Sequence, residues 1–177
     1  MVTRAHTVAF LGVEARPVEV QCALSPGLPA FTIVGLPDKA VSESRERVRS
    51  ALSACGLAMP ASRVTVNLSP ADLPKAGSHF DLPIALALMA ALEVIPAEEV
   101  DRAVALGELS LDGEIRPVPG ALPTALLASA SDKTLICPAG SGREAAWVGA
   151  CEVVGAPSRL ALHNHIRGEA PLPPPEP

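Results

Sequence analysis

Ser78, His79 and Asp81 lie within four residues of one another, and they are the residue types of a nucleophilic triad. Triad members converge from separate elements, because neighbouring side chains point apart, so this run is no triad by its spacing. Asp81 is expected to cap the helix that follows, and His79 to be a loop residue. Glu108, Asp112 and Glu114 imitate paired acid–base carboxylates but flank Asp112-Gly113, a strong hairpin signal, and read as exposed hairpin charges. His163 and His165, two apart on a helix, fall on different faces and read as surface histidines rather than a metal pair. No catalytic residue and no metal ligand is assigned.

Nucleotide chemistry is missing from the sequence in the same way. No G-x-x-x-x-G-K-[ST] run occurs, and the nearest imitation, Gly140-Ser141-Gly142-Arg143, lacks both the spacing and the lysine that would reach a terminal phosphate. These glycines are expected to form the turn before a short helix. Cys22, Cys55, Cys137 and Cys151 have no C-x-x-C spacing and sit in apolar runs, which reads as buried thiols in a reducing compartment.

Two stretches remain as candidates. The segment from Asn67 to Asp81 carries Lys75, Gly77 and His79 between a strand and an apolar helix. It is either a functional loop, with Lys75, Gly77 and Asp81 as its candidate residues, or a cover for that helix. Arg45, Arg47 and Arg49 form a local basic cluster that could contact DNA or another subunit.

The elements that must position these residues are legible from periodicity. Thr7–Leu11, Val18–Ala23 and Phe31–Val34 read as successive antiparallel strands separated by turn signals such as Ser25-Pro26-Gly27. Asp38 is placed to cap a helix burying Val41, Val48, Ala51, Leu52 and Cys55, with Gly56 to end it. On its outer face Glu43 and Arg47 are expected to pair, as are Glu46 and Arg49. Arg63–Leu68 alternates strictly, as a strand with one buried face does. Residues 82–94 are apolar on nearly every side and predict a buried helix. Beyond it, strands at 103–110 and 114–118 flank the Asp112-Gly113 turn. A helix near 122–129 follows, then strands at 134–137 and 151–154 around a short helix at 143–148, and a last helix at 158–166. Strands first and alternation afterwards predict an α+β layered fold.

Composition bounds what such a fold can do. The chain has 177 residues, 49% hydrophobic, enough for one sizeable core. Three phenylalanines, one tryptophan and no tyrosine leave little with which to stack single-stranded bases, and a net charge of -5 argues against a phosphate-binding surface over the whole domain. The apolar stretches are too short for a signal peptide or a membrane span, so a cytoplasmic protein without membrane contact is expected. The tail GEAPLPPPEP has the composition of a linker.

Three long segments, GLPAFTIVGLPDKAVSESRERVRSAL, RVTVNLSPADLPKAGSHFDLPIALALMAAL and LGELSLDGEIRPVPGALPTALLA, closely resemble the amino-terminal domain of bacterial Mg-chelatase-like AAA ATPases of the ComM/YifB group. The resemblance runs from about residue 5 to 166. It implies a domain over residues 1–167, with residues 168–177 as the linker to an ATPase module outside this sequence. ATP and magnesium are then expected on that module and no cofactor here. The implied partners are the other domains of the same protein, further copies in a homo-hexamer, and DNA. The implied work of the whole protein is ATP-driven helicase or branch-migration activity in natural transformation or recombination.

The resemblance also implies a ribosomal S5 domain 2-like fold, shared with the proteolytic domain of Lon. Lys75 to Asp81 looks like the Lon nucleophile loop, and Gly107 to Gly120 like the segment leading to its catalytic lysine. His79 then stands where the serine nucleophile would be, with Ser78 one position away, and Leu122 stands where the lysine would be. A hydroxyl is a weak nucleophile until a base takes its proton. The positions Ser78, His79 and Leu122 therefore read as a degenerate Lon-like site and the domain as a non-catalytic accessory module. The alternative is a Lon-like serine peptidase domain, which a lysine within reach of Ser78 would favour.

Overall fold

The computed structural model describes residues 1–177. Strands β1 (Val2–Leu11) and β2 (Glu14–Ser25) form a long antiparallel hairpin, turning through Gly12 at φ 64°. Strand β3 (Ala30–Val34) departs from the expected antiparallel series. It lies parallel to β4 (Arg63–Ser69), while β4 takes the edge of β2. The turn residues after β2 reverse the chain but do not choose the strand that pairs; helices α1 (Lys39–Ser42) and α2 (Ser44–Ala54) then provide the crossover a parallel pair requires.

Three short strands extend the sheet beyond β1, all parallel: β5 (Ala103–Ala105), β8 (Thr134–Pro138) and β9 (Val153–Ala156). The result is a seven-stranded mixed sheet of order β3-β4-β2-β1-β5-β8-β9. It is packed with helices in the α+β arrangement expected of an S5 domain 2-like fold. The expected strand over 103–110 is divided at Leu106-Gly107. Its second half, β6 (Glu108–Leu109), pairs with β7 (Ile115–Arg116) as a separate hairpin around Asp112-Gly113.

Strand alternation sorts the core into two layers. Ala103, Ala105, Ile136 and Val154 face the larger one with α2 and with α3 (Asp81–Ala91). Val104, Leu106, Leu135, Cys137 and Val153 face the smaller one with α5 (Ala121–Ala130) and α6 (Gly142–Ala146). Every residue of α3 from Asp81 to Ala90 is buried, as its uniform hydrophobicity requires. It ends earlier than expected because Glu93 takes φ 61° and the Val94 N–H reaches back to the Met89 carbonyl at 3.1 Å, a left-handed helix terminus. A short helix α4 (Ala97–Asp101), which periodicity missed, leads into β5. No helix is long and apolar enough to cross a membrane.

Asp38 caps α1 through the Val41 N–H, and Ser158 caps α7 (Arg159–Ile166) through the Ala161 N–H. Of the four free cysteines, Cys22 and Cys137 are buried and their thiols are pushed up to about 12 by burial, whereas Cys55 and Cys151 are only half-buried. The tail folds back on the domain. The Leu172 N–H donates to His165 Nδ1 at 2.8 Å, and its side chain packs against the larger core.

Candidate functional site

The loop between β4 and α3 is latched at its middle. Lys75 N–H donates to the Leu36 carbonyl at 3.0 Å and the Asp38 N–H to the Lys75 carbonyl at 2.9 Å, so two loops are tied edge to edge. The Lys75 side chain is 0% exposed and its ammonium donates to the Pro70 carbonyl within the same loop. Burial lowers its pKa from the ordinary lysine value, with Asp72 opposing. This lysine fastens the loop; its hydrogen bond runs to Pro70, not to the Ser78 hydroxyl.

Gly77, at φ 104°, turns the chain into a single 3-10 turn, Ser78–Phe80, that sets up α3. His79, expected as a loop residue, is instead 5% exposed and hydrogen-bonded to the Val8 carbonyl at 2.7 Å. A carbonyl only accepts, so the histidine proton is on Nε2. Burial lowers the pKa of His79; the Val8 bond and the charges of Asp81 and Asp38 pull it back up. The correction has a tertiary cause, because the carbonyl that holds this ring comes from β1, 71 residues away.

Asp81 is corrected in the same sense. It is the first residue of α3 rather than its cap, and its carboxylate is fully buried. The Arg47 guanidinium straddles it, Nε to Oδ2 at 2.6 Å and Nη2 to Oδ1 at 3.1 Å. The Ser44 hydroxyl donates at 2.5 Å and the Leu109 N–H at 3.0 Å. One carboxylate thus joins α2, α3 and β6. Burial pushes its pKa up, and Arg47, Ser44 and Leu109 pull it down without cancelling that effect.

The expected Glu43–Arg47 pair gives way to this buried one, while Glu46–Arg49 forms at 3.1 Å. Arg45 folds onto the Ser42 and Phe31 carbonyls. The three arginines are therefore not one free patch: Arg47 is committed inward and Arg45 and Arg49 share the outer face one turn apart.

The two Lon-like positions are brought to the same end of the domain, with Phe10 between them. The Phe10 and His79 ring centroids are 5.2 Å apart, and a Cβ on Gly120 would meet Phe10 Cζ at 2.3 Å. Leu122, 37% exposed, lines an open apolar groove of ≈ 630 Å³ with Phe10, Val13, Pro119 and Leu126. Sequence reasoning missed Phe10; its only signal was being one of three phenylalanines. Gly120 takes φ 98°, so Gly120→Ala combines left-handed strain with a ring clash, and a loss of roughly 1–3 kcal/mol is expected, as for overpacked cores. The loss should shrink in a Phe10→Ala background. Equilibrium denaturation of the four proteins checks this, and strictly additive losses would mean that the ring does not fill the space.

The glycines of the 140–142 turn serve packing. A Cβ on Gly140 would come within 2.9 Å of Pro117 Cγ, and one on Gly142 within 3.0 Å of Pro175 Cβ. His163 faces Arg159 and His165 accepts from Leu172, so the two rings serve different contacts.

Residues 18–141 match the family model described as "Subunit ChlI of Mg-chelatase". The chain is 50% identical over 131 residues to the uncharacterized protein YifB of Escherichia coli, covering 74% of this chain and 26% of that protein. It is 41% identical over 170 residues to an uncharacterized protein of Mycobacterium tuberculosis, covering 96% and 34%. With the competence protein ComM of Haemophilus influenzae the identity is 41% over 168 residues, covering 95% and 33%. The chain thus spans between 26% and 34% of the length of these relatives.

Proposed function

Because the chain belongs to the family of the ChlI subunit of Mg-chelatase, we propose that it is the non-catalytic amino-terminal module of a longer Mg-chelatase-like ATPase. In this reading ATP and magnesium are held by the rest of the protein. The Gly140–Arg143 turn supports this, since it has no lysine and its glycines are covered by Pro117 and Pro175. The whole protein is a cytoplasmic homo-hexamer that moves or unwinds DNA, a reading supported by similarity to a relative named a competence protein. Arg45 and Arg49 are the proposed contacts of this domain to DNA or to a neighbouring subunit. Contacts this sparse give weak, salt-sensitive binding alone and gain strength by repetition around a ring.

The observation that carries the non-catalytic assignment is the Phe10 ring between His79 and Gly120, with Leu122 just beyond. His79 is spent on a backbone carbonyl, and a leucine takes no proton from a hydroxyl. A Lon-like serine peptidase is the competing reading, and a chemical test separates the two. Residues 1–177 incubated with an unfolded protein substrate and a serine-reactive probe are expected to give neither cleavage nor labelling. Labelling lost in Ser78→Ala, together with cleavage, would return the domain to the peptidases.

A further inference from the structure

Three charged side chains are buried outright, and only one of them lacks an oxygen partner. Asp81 has Arg47 and Lys75 has the Pro70 carbonyl. Arg159, the first residue of α7, is 2% exposed and takes part in none of the seven ion pairs. Its Nη1 reaches the Met89 sulfur, a weak acceptor, at 3.9 Å and the uncharged His163 Nδ1 at a long 3.4 Å, and neither brings a negative charge. Its Nε has no hydrogen-bond partner. The unused Nε and Nη2 donors form the side-on edge of the guanidinium, the edge that matches two oxygens of one anion. Burying such a charge without an anion is costly.

Further basic groups follow at helical spacing. His163 is one turn from Arg159 and Arg167 one turn beyond, on the same side of α7. His163 is held below its ordinary pKa by burial first and then by the charges of Arg159 and Arg167, with Glu169 opposing. Glu169, the one acid paired in this row, bridges Arg167 at 3.3 Å. Glu93 lines the same cavity as Arg167 and Glu169 pairs with it, so the charge left without an oxygen partner is that of Arg159, whose free edge suits an oxyanion.

We propose that Arg159, His163 and Arg167 form a binding site for a small phosphate-type oxyanion, held bidentately on the Nε/Nη2 edge of Arg159. Such a site is independent of the ATPase assignment and of the Lon-like positions.

The test titrates residues 1–177 with inorganic phosphate against sodium chloride at equal ionic strength, following the Arg159 Nε–Hε resonance and the thermal midpoint. A saturable shift of that resonance and a midpoint that rises with phosphate but not with chloride are expected. Arg159→Met should abolish the phosphate response. In phosphate-free buffer it should unfold no lower than the parent, since it removes an unpaired charge. Arg167→Ala, at an exposed position that does not threaten folding, should weaken phosphate about tenfold, the scale of a charge-assisted bond. No saturable shift in the parent chain would overturn the proposal. So would a response retained in Arg159→Met, or acetate acting as well as phosphate.

Discussion

Arg47→Met should lower stability at neutral pH by roughly 3–5 kcal/mol, because it leaves a buried carboxylate without its counter-ion. The arginine contributes two of the four side-chain and backbone donors that reach Asp81, at 2.6 and 3.1 Å, and the only positive charge among them. Its Nη2 also donates to the Ala40 carbonyl at 2.8 Å, so Met replaces the aliphatic stem but not the tie to α1. The loss should depend on pH in a fixed direction. Burial already raises the pKa of Asp81 in the folded protein, and Arg47 is the first of the groups that lower it. Removing Arg47 raises that pKa further. A carboxyl with a raised folded pKa contributes its full stability below the unfolded value of about 3.9 and loses it as pH rises through the folded value. The deficit of Arg47→Met against the parent should therefore be smallest near about pH 4 and grow toward neutrality. Urea denaturation at several pH values measures it. A deficit that stays flat, or that shrinks as pH rises, would mean that the Asp81 charge is not what Arg47 neutralises.

Much of the fold was legible because it is local. The strict alternation of Arg63–Leu68 reports one buried face, and Val64, Val66 and Leu68 are indeed at most 1% exposed. Asp38 caps α1, the first of the two helices into which the expected one divides at Glu43, Asp112-Gly113 turns a hairpin, and Glu46 meets Arg49 within one helical turn. What was not legible depends on residues far apart in the chain. Glu43 and Arg47 have the right spacing to pair, yet Arg47 turns to Asp81, 34 residues on, because a buried carboxylate offers more than an exposed one. The parallel pairing of β3 with β4 is decided by a crossover, not by either strand. His79 looked like a loop residue because nothing nearby in sequence needs its proton.

The candidate site shows the same division more sharply. Alignment of short segments put His79 and Leu122 where a nucleophile and its lysine would stand, and the fold brings both positions to one end of the domain. The residue that fills the space between them, Phe10, comes from the end of β1. No motif around His79 or Leu122 contains it, so the sequence can register the missing lysine but not the ring beside the altered histidine.

Leu88→Ala is expected to destabilise the domain by roughly 2–5 kcal/mol, the range for a leucine removed from a packed interior. Leu126→Ala, the same change on a helix of similar hydrophobicity, should stay within about 0.5 kcal/mol. Both helices are apolar on nearly every side, so composition does not separate them. Their surroundings do. Leu88 is 0% exposed in a helix whose neighbours cover it all round, and the adjacent Ala87 carbonyl is fixed by the Thr3 hydroxyl at 2.6 Å, which limits how far the backbone can collapse into a cavity. Helix α5 instead turns its small residues inward: Ala121, Ala125 and Ala128 are 0% exposed, while Leu126 is 57% exposed over the apolar groove. Alanines on the buried face let α5 approach the sheet closely, with Leu127 half-buried beside them and Leu122 and Leu126 left to solvent. Urea midpoints of the two variants, with the slope of the transition unchanged, measure the difference directly. Equal losses at the two positions would mean that α5 is covered as fully as α3, and that the groove beside Phe10 is closed in solution.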